Sequence, residues 1–338
     1  MRPDRLLLGW LLLLGVLAFG TIWDAVDSER RPAATWCEQT QAGAAAFAEA
    51  VVEVDVAAIL PGIYDLLIEP TAHAWLHARS FIVIGGLVVA ALVALLGSAL
   101  IRVDVSRLVS DRDVSLVPAI THAARSWRRT YGTLILAPVL ALILLFPIVV
   151  VGIVAAIPGV SVVLSILWGI LLVPAIGAAL VVFGWLVSLP ILSGAMALEV
   201  GDPAENVIRS FVLIRRRPVV FLLLFLLSLV ALALGWLIVS AVVAMSLNLL
   251  NAASGFVFSA SPAGPMVTWP GLAMVAPTDD QAGAWADSIV GWWFRFGVSW
   301  AWAWVAAVIM LFSGRTYLVL RRAVERLPLE EVDALESS

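Results

Sequence analysis

The chain has 338 residues, of which 62% are hydrophobic and 13% are charged, and its formal net charge is −4. Soluble domains carry about 45–50% apolar and about 25% charged residues, so this composition excludes a soluble globular protein and predicts an integral membrane protein. The single cysteine, Cys37, excludes an intrachain disulfide and a multi-cysteine metal site.

Six apolar stretches are long enough, or nearly long enough, to cross a bilayer, which requires about 20 apolar residues in a helix. They are residues 6–23, 81–101, 133–157, 160–189, 219–244 and 289–312. The first is short and resembles a cleavable signal near residues 18–20, but its apolar run continues through Trp23, which favours an uncleaved anchor. The predicted fold is therefore an all-α integral membrane protein with six transmembrane helices in a single membrane domain, 1–338.

Arginine is unevenly distributed among the segments that connect these spans. The N-terminal tip has 2 arginines, and segments 102–132, 199–217 and 314–338 have 6, 4 and 4. Segments 24–80 and 251–288 have only 3 and 0. Because arginine-rich loops stay in the cytoplasm, both termini are predicted to be cytoplasmic, and segments 24–80 and 251–288 are predicted to lie outside the inner membrane of a bacterial cell.

Two arginine-rich segments have the pattern of amphipathic helices lying on the cytoplasmic membrane surface. Apolar residues recur at helical spacing from Ala204 to Val212 after a helix-start pair, Asp202-Pro203, and from Leu116 to Tyr131. Lipid phosphates attract arginines at such a position. The residues predicted to bind lipid headgroups are Arg125, Arg128, Arg129, Arg209, Arg215, Arg216 and Arg217.

The two amphipathic segments also resemble each other. PAITHAARSW (118–127) and PAENVIRSF (203–211) both run from Pro-Ala through a polar turn to Arg-Ser-aromatic, and an arginine cluster and a span follow each. This favours an internal repeat of residues 114–198 and 202–313. The alternative is that any helix beside a membrane span has this pattern.

Two places offer polar chemistry near the spans. In EPTAHAWLHARSF (69–81), His73 and His77 are four residues apart, a spacing that can hold zinc, but a third firm ligand is missing. Arg295 lies inside the sixth span, where a charge indicates a polar site or a partner contact unless the side chain reaches back to the surface. Tryptophans of the same span, at 300, 302 and 304, favour packing against other helices, or lining a lipid-facing groove, over cofactor binding.

The middles of the six spans lack Asp, Glu, His and Arg, which is atypical of an ion-coupled transporter. Prolines 138, 147, 174 and 190 interrupt the third and fourth spans, as broken transporter helices do, although kinked packing is commoner. The sequence contains no nucleophile–base arrangement, P-loop or Rossmann fingerprint, and nothing in it favours nucleic-acid binding.

Three stretches carry a resemblance: RPDRLLL (2–8), RVDVSRLVSDRDVSLVPAITHAARSW (102–127) and LPILSGAMALEVGDPAENVIRSF (189–211). They resemble uncharacterised multi-span proteins of planctomycete-type bacteria and, more loosely, the membrane domain of glycerophosphoryl diester phosphodiesterases. The positions matching the group are Pro190, Glu199, Asp202, Arg209 and Ser210. The phosphodiesterase catalytic domain has no counterpart in this chain, so the resemblance implies a membrane fold and no activity.

The function predicted from the sequence is that of a non-enzymatic membrane protein, either a lipid-organising module or a subunit of a membrane complex. Its expected partners are membrane lipids, other membrane proteins or a second copy, with no cofactor and no catalytic residue. The alternative is a transporter or permease for a small or lipid-like substrate. A third hypothesis is a membrane-embedded enzyme that uses the His73 and His77 region.

Overall fold

The computed structural model describes residues 3–53, 55–110, 115–155, 161–199, 201–257, 266–267, 272, 274–275 and 284–325. Over this part of the chain the fold is all-α, as predicted, apart from one pair of two-residue strands. The helices are α1 Pro3–Val26, α2 Pro32–Val52, α3 Val56–Leu67, α4 Glu69–His77, α5 Arg79–Leu92, α6 Ser98–Ser110, α7 Leu116–Ala155, α8 Ser161–Leu198, α9 Pro203–Arg216, α10 Pro218–Val257 and α11 Ala284–Glu325. A π turn, Val93–Gly97, joins α5 to α6, and strands β1 Met266–Val267 and β2 Met274–Val275 pair antiparallel.

Six of the helical stretches in the described residues are long and apolar enough to cross a membrane. They are Pro3–Val26, Arg79–Leu108, Leu116–Val154, Ile170–Leu198, Pro218–Leu250 and Trp292–Glu325. Each overlaps one of the six spans predicted from hydropathy, so the number of spans is confirmed. The chain is a multi-pass integral membrane protein.

The two predicted surface helices differ in how they join the following span. α9 ends at Arg216 and α10 begins at Pro218, because a residue before proline avoids the helical region, and Arg217 accordingly has φ −138° and ψ 59°. α7 instead runs without interruption through Gly132, where the sequence predicted a surface helix to end and a span to begin. A lone glycine costs a helix only about 1 kcal/mol, which is too little to break it.

The segment predicted to lie outside, 24–80, forms three helices. α3 contains both Pro61 and Gly62 and continues through them to Leu67. Its glycine lies where α2 packs closely against α3. A Cβ atom on Gly62 would lie 2.9 Å from the Phe47 Cα atom, and one on Gly43 would lie 2.5 Å from the Asp65 carbonyl oxygen. Glycine at both positions lets the two backbones touch. In the other outer segment, the described parts are the ends of α10 and α11, the strand pair and Leu272.

The chain divides into two compact units. Unit 1 comprises Met1–Leu92 and Leu226–Ile309, and unit 2 comprises Val93–Phe225 and Met310–Ser338. α10 and α11 therefore contribute residues to both units. The predicted single membrane domain and the predicted repeat stay predictions.

The core of unit 1 is rich in tryptophan. Trp236 of α10 packs against Trp302 of α11, with ring centroids 4.8 Å apart, and Trp10 of α1 stacks on Trp300 at 5.8 Å. Gly235 lies directly against the ring of Trp304. The deep tryptophans of the sixth span therefore pack against other helices, as predicted.

The core of unit 2 surrounds the second half of α11. Its largest fully buried side chain is Tyr317, which packs with Ile101 of α6, Ile191 of α8 and Leu213 of α9. Glycines permit close approach here also, because a Cβ atom on Gly194 would lie 2.7 Å from both the Ser313 carbonyl oxygen and the Tyr317 Cβ atom. Four helices thus meet where the polar groups described next are buried.

Candidate functional site: a buried ring of ion pairs

Local structure places six polar side chains on or next to three helices of unit 2, α8, α9 and α11. Glu199 directly follows α8 and donates its backbone N–H to Ala195 at 2.8 Å. Asp202 is the N-cap of α9, which Pro203 opens, as the sequence predicted. Arg209 follows two turns later, and Tyr317, Arg321 and Glu325 recur at intervals of four along α11, so they share one face of that helix.

Two glutamates and two arginines form a closed ring, in which each charge meets two opposite charges. Arg209 donates to Glu199 Oε2 at 2.8 Å and to Glu325 Oε1 at 2.7 Å. Arg321 forms an ion pair with Glu199 Oε1 at 2.9 Å and donates to Glu325 Oε2 at 3.0 Å. The Tyr317 hydroxyl also donates a hydrogen bond to Glu199 Oε1. We call these five residues the ion-pair ring.

The ion-pair ring is balanced in charge and largely out of solvent. The side chains of Arg321 and Glu199 are 5% and 8% exposed, whereas those of Arg209 and Glu325 are 28% and 23% exposed. Burial acts to lower the pKa of Arg209, but its hydrogen bond to Glu325 and the charges of both glutamates raise that pKa above its ordinary value. Arg209 therefore stays charged, and two positive charges face two negative ones. Buried charges are tolerated only with such pairing.

Two further polar contacts tie α11 to its neighbours in unit 2. Arg315 donates to both carboxylate oxygens of Asp104 on α6, at 2.7 and 2.9 Å, and the Asp104 side chain is only 1% exposed. The hydroxyls of Ser193 and Ser313 hydrogen-bond to each other, and the Gly194 N–H donates to Ser313 Oγ at 3.1 Å. α11 is thus bonded through side chains to α6, to α8 and to α9.

These contacts join three segments that the arginine count assigned to one side of the membrane. Asp104 belongs to segment 102–132, Glu199 and Arg209 to segment 199–217, and Arg315 and Arg321 to segment 314–338. Their charged groups meet within 3.0 Å, so segments 102–132 and 199–217 both contact segment 314–338. These contacts agree with the predicted placement of the three segments on one side of the membrane, which stays a prediction.

α9 turns inward a face that mixes polar and apolar residues. Asn206 and Ser210 are 1% and 0% exposed, and Leu213 and Ile214 are 1% and 8% exposed. Two large residues of the predicted apolar face lie outward: Ile208 is 63% exposed, and Phe211 is 43% exposed. Large apolar side chains on the outer face are atypical of a soluble amphipathic helix.

The arginines predicted to bind headgroups occupy three kinds of position. Five are exposed, one is half-buried, and one belongs to the ion-pair ring. The exposed ones are Arg125, Arg128, Arg215, Arg216 and Arg217, the half-buried one is Arg129, and the paired one is Arg209. Headgroup binding by the seven residues stays a prediction.

Arg295 is exposed on α11 in unit 1. The histidine pair lies on α4, with the His73 and His77 rings stacked at 4.2 Å between centroids. His77 Nδ1 is 2.9 Å from the His73 carbonyl oxygen, so that ring nitrogen is already in a hydrogen bond. No group of three or more His, Cys, Asp or Glu side chains able to hold a metal occurs within the described residues.

No protein-family model, curated protein or solved structure matches the chain. The resemblance to the phosphodiesterase membrane domain and to the planctomycete-type proteins therefore stays a prediction.

Sequence reasoning picked out Glu199, Arg209 and Asp202 from the resemblance, but it did not pair Glu199 and Arg209 with α11. Arg321 and Glu325 lie more than 100 positions from Glu199 in the sequence. The available signal was the four-residue spacing of Tyr317, Arg321 and Glu325, which puts a tyrosine and an ion pair on one helix face.

Proposed function

We propose that this chain is a non-enzymatic membrane protein that organises anionic lipid on its cytoplasmic side. The observation that carries the proposal is the orientation of α9, which exposes Ile208 and Phe211 beside three exposed arginines, Arg215–Arg217. An apolar face flanked by arginine fits the boundary between acyl chains and anionic headgroups.

The arginine-rich first turns of α7 support the same surface. Arg125 and Arg128 are exposed, and Trp127 between them is 42% exposed, so apolar and basic groups again lie together. α7 contacts α9 in unit 2, where Pro203 lies beside Gly132. We call Arg125, Arg128 and Arg215–Arg217 with Trp127, Ile208 and Phe211 the basic surface. Arg209 is not included because its guanidinium group is already bonded to the two carboxylates of the ion-pair ring.

The largely buried ion-pair ring also supports the proposal. It bonds α9 to the ends of α8 and α11, so the exposed face of α9 is held in one orientation. The cytoplasmic placement rests on the bias of arginine toward the basic surface and on the meeting of the three arginine-rich segments.

The test is retention of anionic phospholipid by the protein purified in mild detergent, measured by mass spectrometry. Each arginine near an anionic surface contributes about 1 kcal/mol, so changing Arg215, Arg216 and Arg217 to glutamine should weaken retention by up to about 100-fold. The matched control changes Arg30, Arg31 and Arg79, the three arginines of segment 24–80, to glutamine. That variant loses the same charge and should retain lipid normally.

Three other results would overturn the proposal. Equal retention by both triple variants would show that the basic surface does not select anionic lipid. A stoichiometric membrane protein that co-purifies in place of lipid would indicate a complex subunit. Uptake of a solute by vesicles containing the pure protein would indicate a transporter.

A further inference from the structure

A second apolar surface lies in unit 1, on the helices α3 and α4. Six exposed, uncharged residues recur there at intervals of three or four: Ala57, Pro61, Tyr64, Ile68, Ala72 and Trp75. The three large ones, Tyr64, Ile68 and Trp75, are 50%, 51% and 49% exposed. Because α3 and α4 are separated only by Ile68, which itself has helical φ and ψ, this spacing forms one apolar stripe along both helices.

The protein covers a different face of these helices. α2 packs on α3 through the glycine contacts at Gly43 and Gly62, and Pro70 and Ala74 of α4 are buried. The polar side chains Glu69 and His73 fall outside the spacing of the apolar stripe. The stripe is therefore a face that the described residues of unit 1 leave open.

Chain continuity places the C-terminal end of the stripe next to the start of a membrane span. α4 ends at His77, a single residue, Ala78, follows, and Arg79 begins the second membrane span. Trp75 and the neighbouring Leu76, which is 68% exposed, are thus within one helical turn of the start of a span. A large apolar side chain at that depth meets lipid unless a partner covers it.

We propose that the apolar stripe of α3 and α4 lies in the lipid interface of the leaflet where α5 begins, about 5–10 Å into the boundary between headgroups and acyl chains. Tyrosine and tryptophan are the side chains that this layer favours, since each joins an apolar ring to a polar tip. The stripe contains no arginine, so it recognises the apolar layer and is indifferent to lipid charge. In the orientation predicted from the arginine count, this is the outer leaflet.

The test uses single cysteines in full-length protein that carries Cys37→Ser. Tyr64, Ile68 and Trp75 are each changed to cysteine, and Glu69, an exposed residue of α4 outside the stripe, is changed to cysteine as the control. Each site is labelled with bimane in phosphatidylcholine vesicles. Its quenching is measured with a nitroxide on the lipid acyl chain and with aqueous iodide. Each variant changes one exposed side chain, and an unchanged helical circular dichroism spectrum shows that it has folded.

The three stripe sites should be quenched several-fold more by the lipid nitroxide than by iodide, and the Glu69 site should show the reverse order. Iodide quenching of the stripe as strong as that of Glu69 would overturn the inference. Protection of the stripe in native membrane vesicles but not in pure lipid vesicles would also overturn it, in favour of a protein partner. The glutamine changes at Arg215–Arg217 should leave this pattern intact, so this inference and the proposed function can fail separately.

Discussion

Unit 2 contains two glutamates, two arginines and an aspartate in buried or partly buried ion pairs, whereas the described core contacts of unit 1 are mostly aromatic rings, alanines and glycines, with Arg5 as a buried charge. Packing in unit 1 is fixed by shape, as where Gly235 meets Trp304. In unit 2 it is fixed by directional bonds between charged groups. Helices in lipid gain little from the hydrophobic effect, so they must associate through close packing or through polar bonds. The two units rely on these two means to different degrees.

The largest effect should come from breaking the ion-pair ring in unit 2. Glu199→Gln removes the charge that both Arg209 and Arg321 face, and a buried ion pair broken on one side costs about 3–5 kcal/mol. We expect a large loss of thermal stability in detergent. Glu205→Gln, an exposed change on α9, is the control and should have little effect.

A double variant shows whether pairing is the cause of that loss. Adding Arg321→Gln to Glu199→Gln removes a positive and a negative charge together, so the double variant should lose less stability than the sum of the two single variants. Strict additivity would mean that the charges of the ring do not interact, and the contrast between the two units would fail.

In unit 1 the corresponding change concerns shape. A Cβ atom on Gly235 would lie 2.2 Å from the ring of Trp304, so Gly235→Ala should cost about 1–3 kcal/mol through overpacking. The control is Gly86→Ala in α5, where a Cβ atom would meet nothing within 4 Å. That change should be neutral or should stabilise the helix by up to about 1 kcal/mol. Equal melting temperatures of the two variants would contradict the packing at Gly235.

A smaller effect is expected at the second ion pair of unit 2. Asp104→Asn weakens two hydrogen bonds from Arg315, but the Arg315 side chain is 45% exposed and water can replace part of the loss. We expect a cost of about 1–2 kcal/mol in the same melting assay. Arg322→Gln, an exposed change on α11, should cost less, and the opposite order would count against the Asp104–Arg315 pair.

The smallest effect concerns reactivity and leaves stability unchanged. Burial raises the pKa of the Cys37 thiol above its ordinary value of 9.0, and Glu38 and Asp24 raise it further. The thiolate is the reactive form, so labelling should still accelerate with pH at 9.0, where an ordinary thiol is half ionised. Glu38→Gln should lower this pKa and speed labelling at neutral pH.

Cys37 also tests the predicted orientation. In sealed cells an impermeant maleimide should reach it from outside, because it lies in segment 24–80. Labelling only after the cytoplasm is opened would reverse the predicted topology.

The sequence predicted the structure best where a single physical property, such as hydropathy, determines it. Hydropathy alone located six spans, since an apolar run of sufficient length has few stable alternatives in a bilayer. The sequence also accounts for the break between α9 and α10, because Pro218 disfavours a helical backbone at Arg217. At Gly132 no proline follows directly to end the helix. α7 therefore continues without a break, although the sequence changes there from an amphipathic to an apolar pattern.

The ion-pair ring was beyond sequence reasoning for a different reason. Counting arginines predicts which segments share a side of the membrane, but it cannot say which glutamate meets which arginine. That choice is made by packing, since Gly194 lets α8 approach α11 closely enough for Glu199 to reach Tyr317 and Arg321. The sequence singled out Arg209 through the resemblance and grouped it with the headgroup-binding arginines, but it does not show which carboxylates Arg209 meets.

Pairing inside unit 2 also changes how the protein should respond to salt. Arg209, Arg315 and Arg321 are each matched by a carboxylate, so their fields largely cancel at short range. The exposed guanidinium groups of the basic surface, which we propose meets anionic lipid, are open to screening, which acts over about 8 Å at physiological ionic strength. Attraction to an anionic membrane should therefore weaken with salt as expected for a handful of charges, fewer than the arginine content of the chain suggests.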